Sequence, residues 1–209
     1  VEMKCRTEEN PIGIQINVAG SRITKQEPCQ APVGTSISIK NLFFNVPARR
    51  NFLKSNQVET RHIMDEFMRV ALAHTHIEMS LHQNSDEIFH LRPGKLRQRI
   101  VDLFGKGYNE KLVQISEETS IAKIEGFVGK PEFARKRRGE QFFFVNDRFI
   151  RSPYLNHAIS SAYDELLAQK TYPAYFIFFT VEPSFIDINI HPTKTEIKFE
   201  DEKSVYAIL

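Results

Sequence analysis

The sequence predicts a mixed α/β fold of the α+β kind in two pieces, and three observations lead there. Ile12, Ile14, Ile16 and Val18 keep a period of two, which puts alternate side chains on one face of a strand. Between Gln57 and His74, the residues Ile63, Phe67, Val70 and Ala71 recur at helical spacing and form an apolar stripe. The run Ala174 to Val181 is apolar on both faces, so it belongs in the centre of a covered sheet.

The elements follow in order. Residues 2 to 6 and 12 to 18 read as a β-hairpin around Glu9-Asn10-Pro11. Gly34 turns the chain into a strand with Ile37 and Ile39 on one face; an apolar knot at Leu42 to Phe44 follows, and Pro47 opens a helical turn. Asn56 and Glu59 have the spacing of a capping box for the long helix. New strands begin after His76, so the boundary between the pieces is placed at 75 to 77. Residues 77 to 91 form a second hairpin around Asn84-Ser85-Asp86, and Leu96, Ile100, Leu103 and Phe104 mark a helix that Gly105 ends. Strands follow at 111 to 115, 121 to 128 and 140 to 146. Ser152 and Pro153 cap and open a helix carrying Leu155, Ile159, Ala162 and Leu166 on one face. Ile186, Ile188 and Ile190 alternate as a further strand, expected in the same sheet as 174 to 181, until Pro192 stops it.

A chain of 209 residues with 41% hydrophobic content can bury a sizeable core. Its 28 basic and 26 acidic residues nearly balance, so nucleic-acid binding has to come from local patches rather than a global field. Cys5 and Cys29 are too few and too unpatterned for a disulfide framework or a zinc site, which points to a reducing cytoplasm. His74 and His76 have no carboxylate or thiol at metal spacing and read as structural, and no G-x-S-x-G context supports a hydrolase. There is no run of eighteen apolar residues and no signal-peptide layout, so a soluble protein is expected. The absence of an initiator methionine and the apolar run Val205 to Leu209 read as a piece of a longer polypeptide.

Two segments carry the functional reading. Lys194 follows His191-Pro192-Thr193 on a short connection before the apolar pair Ile197 and Phe199; its ammonium is either a solvated loop charge or one aimed at an anion such as a phosphate. The other segment is Gly34-Thr35, the alternation that follows it, and Leu42-Phe43-Phe44-Asn45-Val46-Pro47-Ala48-Arg49-Arg50-Asn51-Phe52-Leu53. With Val145-Asn146-Asp147-Arg148 and His191 to Phe199 these motifs stand in one order, and the chain resembles the MutL family of DNA mismatch repair proteins. The match is specific and spans nearly the whole chain.

The resemblance implies that residues 1 to 75 are the second half of a GHKL-type ATPase domain and that 77 to 209 form a transducer domain of ribosomal-protein-S5-like fold. It makes Lys194 the γ-phosphate lysine and sets Gly34 and Thr35 beside the adenine, with ATP and magnesium bound by the full-length parent. The family's Glu-x-x-x-Asn and Asp-x-Gly-x-Gly motifs have no match here, so these residues are expected to hold no catalytic group and no metal ligand, and the fragment to be inactive alone. Arg49 and Arg50 are assigned to structure, as salt-bridging residues at the start of a helix.

Lys130, Arg135, Lys136, Arg137 and Arg138 form one basic cluster, with Arg148 and Arg151 a second across the strand Gln141 to Val145. Such runs are often solvated surface. The resemblance implies that they bind DNA without sequence preference, and Phe142 to Phe144 read as core. Asp147 stands where many members have glycine, a change a left-handed turn tolerates. Ser152-Pro153 replaces the more basic sequence of some relatives at the helix start. The implied partners are DNA, the mismatch recognition protein MutS, a downstream nuclease or helicase and a second copy of the parent, in a bacterial cytoplasm. The alternatives are a non-enzymatic S5-like nucleic-acid module, or another GHKL machine such as a type II topoisomerase or an Hsp90-like chaperone. The first has no reason to keep HP-x-K-x-E beside the Gly34-Thr35 and PARR segments, and the second should lack LFFNVPARRNFL.

Overall fold

A computed structural model describes residues 1–188 and 195–209. Contacts divide the chain into two compact units, Val1–Thr60 and Arg61–Leu209. In the first, β1 (Glu2–Arg6), β2 (Gly13–Ala19), β3 (Arg22–Cys29) and β4 (Gly34–Ser38) form an antiparallel sheet in the order β3-β2-β1-β4. The hairpin expected from 2 to 6 and 12 to 18 forms, with Met3 opposite Ile16 and Cys5 opposite Ile14. Met3 also faces Ile37 across β4, so period two gathers the apolar side chains of three strands on one face. That face is open: Ile14 is 50% and Ile37 61% exposed. The strand β3 was not foreseen, because its Ile23, Lys25 and Glu27 alternate too weakly in hydrophobicity.

The helix α1 (Pro47–Asn51) is a short turn opened by proline, as expected. Arg49 and Arg50 lie in its last turn, are exposed, and make no ion pair among the described residues, so the salt-bridging role given to them does not hold. Helix α2 (Asn56–Ala73) begins at Asn56 itself, and the Glu59 carboxylate accepts the Lys54 N–H at 2.7 Å rather than closing a box on Asn56. Its buried side is formed by Phe67, Met68, Ala71 and Leu72, while Ile63 and Val70 are exposed. Of the predicted stripe, Phe67 and Ala71 therefore face the core and Ile63 and Val70 do not. Because this half of α2 packs into the second unit's core, the units part between Thr60 and Arg61, earlier than the boundary placed at 75 to 77.

The second unit continues through the hairpin β5 (Met79–Gln83) and β6 (Asp86–Leu91), α3 (Leu96–Phe104) and α4 (Tyr108–Lys111). Next come β7 (Leu112–Glu118), β8 (Lys123–Gly129), β9 (Gln141–Val145), β10 (Arg148–Ile150), α5 (Pro153–Ala162) and β11 (Tyr175–Thr180). The chain closes with β12 (Ile186–Asp187), β13 (Lys198–Phe199) and α6 (Glu202–Ile208). The main sheet runs β10-β9-β11-β8-β7, with β9 and β11 parallel and the other pairs antiparallel.

As its sequence predicts, β11 is central and covered on both sides. Tyr175, Ile177 and Phe179 join Phe143, Val145, Leu155, Ile159, Phe199 and Val205 on the α5/α6 side. Phe176 joins Phe142, Phe144, Leu72, Ile100 and Leu103 on the α2/α3 side. Cross-strand rings stack there, Phe142 on Phe176 at 5.4 Å and Phe144 on Phe178 at 4.4 Å.

Two expectations fail in this unit. The segment at 186 does not join the main sheet: Pro183 starts a short 3-10 turn after β11, and β12 pairs with β13 instead, Ile186 opposite Phe199. Positions 189 and 190 lie outside the described residues. Helix α5 ends at Ala162, so Leu166 is exposed and Leu167 packs on the core, where Tyr163 also donates its hydroxyl to the Gly129 carbonyl at 2.6 Å.

Candidate nucleic-acid interface

Three residues of the two basic clusters, Arg138, Arg148 and Arg151, lie around the β9–β10 edge of the sheet. Asn146 and Asp147 make a two-residue turn with φ of 48° and 62°, both left-handed, as a tight hairpin requires. Asn146 also donates from Nδ2 to the Val181 carbonyl (2.9 Å) and accepts the Val181 N–H (3.0 Å), which clamps the hairpin to the end of β11. This two-strand ribbon puts Arg148 at the turn, opposite Val145, and sends Arg151 out at the far end beside the loop carrying Arg138.

Arg138 and Arg151 therefore line one cleft of about 660 Å³ together with Arg69 of α2. The loop is pinned by Gln141, whose Oε1 accepts the Gly139 N–H (2.8 Å) and whose Nε2 donates to the Pro173 carbonyl (2.8 Å). Arg138 holds its guanidinium 4.5 Å over the Tyr172 ring. Arg69 lies 4.3 Å over the Phe149 ring and is paired with Glu66. Asp65, one helical turn from Arg69, is the acidic group of the lining.

The α5 side supplies Asn156, His157, Ser160 and Tyr175. The Tyr175 hydroxyl donates to Asn156 Oδ1, and burial pushes its pKa up while the Arg138 charge pulls it down, so near neutral pH it is a neutral donor. Ser152 caps α5, its Oγ accepting the Leu155 N–H at 3.1 Å, and Pro153 has no N–H to give. The helix end thus presents its dipole more than free donors. The Arg151 N–H donates to the Thr195 carbonyl at 2.7 Å, which ties the rim of the cleft to the residue after Lys194 in sequence.

The remaining predicted DNA-binding residues lie elsewhere. Arg135 exchanges main-chain hydrogen bonds with Tyr172 (3.0 and 2.8 Å) and commits its guanidinium to Glu140 and the Tyr108 ring, which removes it from the available charge. Lys136 and Arg137, with Arg138, border a second hollow of about 440 Å³. Lys130 follows β8 with its N–H on the Lys111 carbonyl (2.8 Å) and lines neither hollow. Arg69 was missed by sequence reasoning; its signal was the Asp65/Arg69 spacing beside the half-buried Phe67 and Met68.

In the first unit, Gly34 opens β4 with φ +117°, and nothing lies within 4 Å of where a Cβ would stand. That leaves its backbone open to close approach by a ligand. The Thr35 hydroxyl donates to Cys5 Sγ at 3.2 Å, so it keeps its lone pairs for an outside donor. Lys194 lies outside the described residues.

The sequence comparisons decide the family. The model for the DNA mismatch repair protein C-terminal domain matches residues 100–209, more than half of the chain. The chain belongs to the MutL family of DNA mismatch repair proteins. It is 60% identical over 209 residues to DNA mismatch repair protein MutL of Christiangramia forsetii, covering all of this chain and 34% of that protein. With MutL of Bacteroides fragilis the identity is 48%, covering all of this chain and 33% of the relative. The chain thus spans about a third of the length of the curated relatives it matches.

Among solved structures, the Aquifex aeolicus MutL ATPase domain complexed with ADP superposes with a TM-score of 0.71 at 22% identity, over 87% of this chain and 67% of that one. The N-terminal domain of a DNA repair protein superposes at 0.83 and 20% identity, over 99% and 68%. At such identities the likeness is one of fold alone: the mixed α/β fold of this chain is shared with those two domains.

Proposed function

We propose that this chain is part of a DNA mismatch repair ATPase, in which ATP binding and hydrolysis are coupled to repair signalling and to non-sequence-specific DNA binding. The observation that carries it is the family match over residues 100–209, which contains Arg138 and Arg151 of the cleft and the Lys194 segment. The Aquifex relative bound to ADP supports a nucleotide as ligand. Gly34 and Thr35 would take the adenine side, where the open backbone at Gly34 fits a close-packed ligand and the Thr35 oxygen can accept a hydrogen bond. Bound with magnesium, ATP supplies the transferable γ-phosphoryl. The task of Lys194 is to hold positive charge where negative charge develops.

The family motifs that supply the general base and the magnesium ligand have no match in these residues, so the 209-residue chain alone is expected to be silent as an ATPase. DNA, a mismatch recognition protein, a downstream nuclease or helicase and a second copy of the full-length protein are its partners in this reading, in a bacterial cytoplasm. Among the described residues no helix is long and apolar enough to cross a membrane. Steady-state turnover tests the reading: Lys194→Ala in the full-length protein should lower kcat by about a hundredfold or more, with little change in melting temperature. An unchanged kcat removes Lys194 from the nucleotide site.

A further inference from the structure

The β9–β10–α5 stretch is fastened to the chain on both sides of Lys194. Asn146, in the β9–β10 turn, bonds both main-chain groups of Val181, where β11 gives way to the turn before β12. The Arg151 N–H donates to the carbonyl of Thr195, the residue after Lys194 in sequence. The third tie is between side chains: His157 Nδ1 of α5 and the Tyr206 hydroxyl of α6 stand 2.7 Å apart. Arg151 and His157 both line the cleft. From Thr195 to Tyr206 the chain is short and well anchored, since Phe199 is buried opposite Ile186, Asp201 caps α6 through Ser204, and Val205 is wholly buried.

These ties differ in kind. The first two engage main-chain groups and hold as long as the sheet does. The His157–Tyr206 bond joins two side chains at the surface, and it has a rival: the Ser161 hydroxyl, one helical turn along α5, lies 3.4 Å from the same Nδ1. Tyr206 is held apart from this bond by the Tyr154 ring, 4.7 Å away. The imidazole can therefore exchange one hydroxyl for the other with no buried polar group left unpaired. An imidazole that accepts at Nδ1 carries its proton on Nε2, where an anion can accept it. An anion there and a hydroxyl at Nδ1 polarise the ring in the same sense, so each strengthens the other, and the phenol gains more than the less acidic serine.

We infer that His157 and Tyr206 are positioning residues of the ATPase, the link through which DNA in the cleft is felt by the stretch of chain that contains Lys194. This rests on the reading above, in which DNA binding and ATP hydrolysis are coupled, and names the side chains that couple them. With the cleft empty, Tyr206 and Ser161 compete for His157. With a phosphate on Nε2 the bond to Tyr206 wins, and α6 is held to α5. A mere staple between two helices would act alike with and without DNA, and that difference separates the two roles.

The test is steady-state ATPase of the full-length protein with and without saturating mixed-sequence duplex DNA, with DNA affinity measured by anisotropy and folding checked by thermal melting. Tyr206→Phe keeps the ring on Tyr154 and deletes only the hydroxyl. It should bring the ratio of kcat with DNA to kcat without DNA close to unity, while kcat without DNA and the DNA affinity each stay within about twofold of wild type. Ser161→Ala removes the rival and should raise kcat without DNA toward the stimulated value. An unchanged ratio in Tyr206→Phe, equal losses with and without DNA, or a lower kcat without DNA in Ser161→Ala overturns the link and leaves a structural staple. If DNA does not change the kcat of the wild-type protein, the coupling reading itself has failed, a result visible before any variant is made.

Discussion

At Gly126 the strand β8 lies so close to its neighbour β11 that a methyl group has no place. Its φ is +147°, and a Cβ there would stand 2.0 Å from the Phe176 carbonyl oxygen, which is backbone and cannot swing aside. Gly126→Ala should therefore cost the second unit several kcal/mol, on the order of 4 or more, and lower its denaturation midpoint far beyond an ordinary surface change. A variant that melts like the wild type would show that the approach of the two strands is looser than described. Nothing in the sequence marked this glycine, because the close approach is made by a strand fifty residues away. Asn146 and Asp147 were legible, since a left-handed pair at a hairpin is chosen by local chemistry. Arg69 was hidden for the reason that hid Gly126: its meaning comes from Phe149, Arg138 and Arg151, which the fold brings to it.

At the level of elements, strands and helices with a strong period stood out in the sequence, and those whose burial is decided by neighbours did not. The run at 174 to 181 is apolar on both faces and became the covered centre of the sheet. Helix α2 carries apolar residues on two adjoining rows, so its helical period was clear while its buried row was not. The alternation at 186 to 190 promised a strand of the main sheet, but a proline-led turn gave Ile186 and Asp187 to β13 instead. One contact joins these elements to the cleft. The Arg151 N–H lies beyond β10 yet donates to Thr195, so it should exchange with solvent as slowly as the amides inside the sheet. Exchange at the rate of an open loop would mean that the strand after Lys194 is not tied to the cleft rim.

For the molecule as a whole, the second unit is the better buried and its tyrosines set an alkaline limit on it. Burial raises the pKa of Tyr108, Tyr163 and Tyr175 above the ordinary phenol value of 10.0, helped at Tyr108 by a hydrogen bond with Glu140 and opposed by Arg135. The folded state then keeps protons that the unfolded chain releases. The stability they contribute is complete below about pH 10 and drains away as pH climbs from there toward the raised folded values. Denaturation midpoints should be flat from neutral pH to about 9.5 and fall beyond it, and Tyr163→Phe, which cannot ionise, should flatten part of that fall. A midpoint that rises above pH 10 would contradict the burial of these phenols.

The division of the molecule was legible as two pieces but not at the right residue, since the end of α2 belongs to the core of the second. Of the seven basic residues selected from the sequence, composition could not tell Arg135, spent on Glu140, from Arg138 and Arg151, which meet in the cleft. That convergence is the centre of the functional account, and salt titration of DNA binding tests it most directly. In the full-length protein the slope of log K against log salt should become shallower by about two units in Arg138→Ala/Arg151→Ala, one for each lost phosphate contact, with similar affinity losses on unrelated sequences. Parallel lines with unchanged affinity would contradict it and return both arginines to the solvated surface.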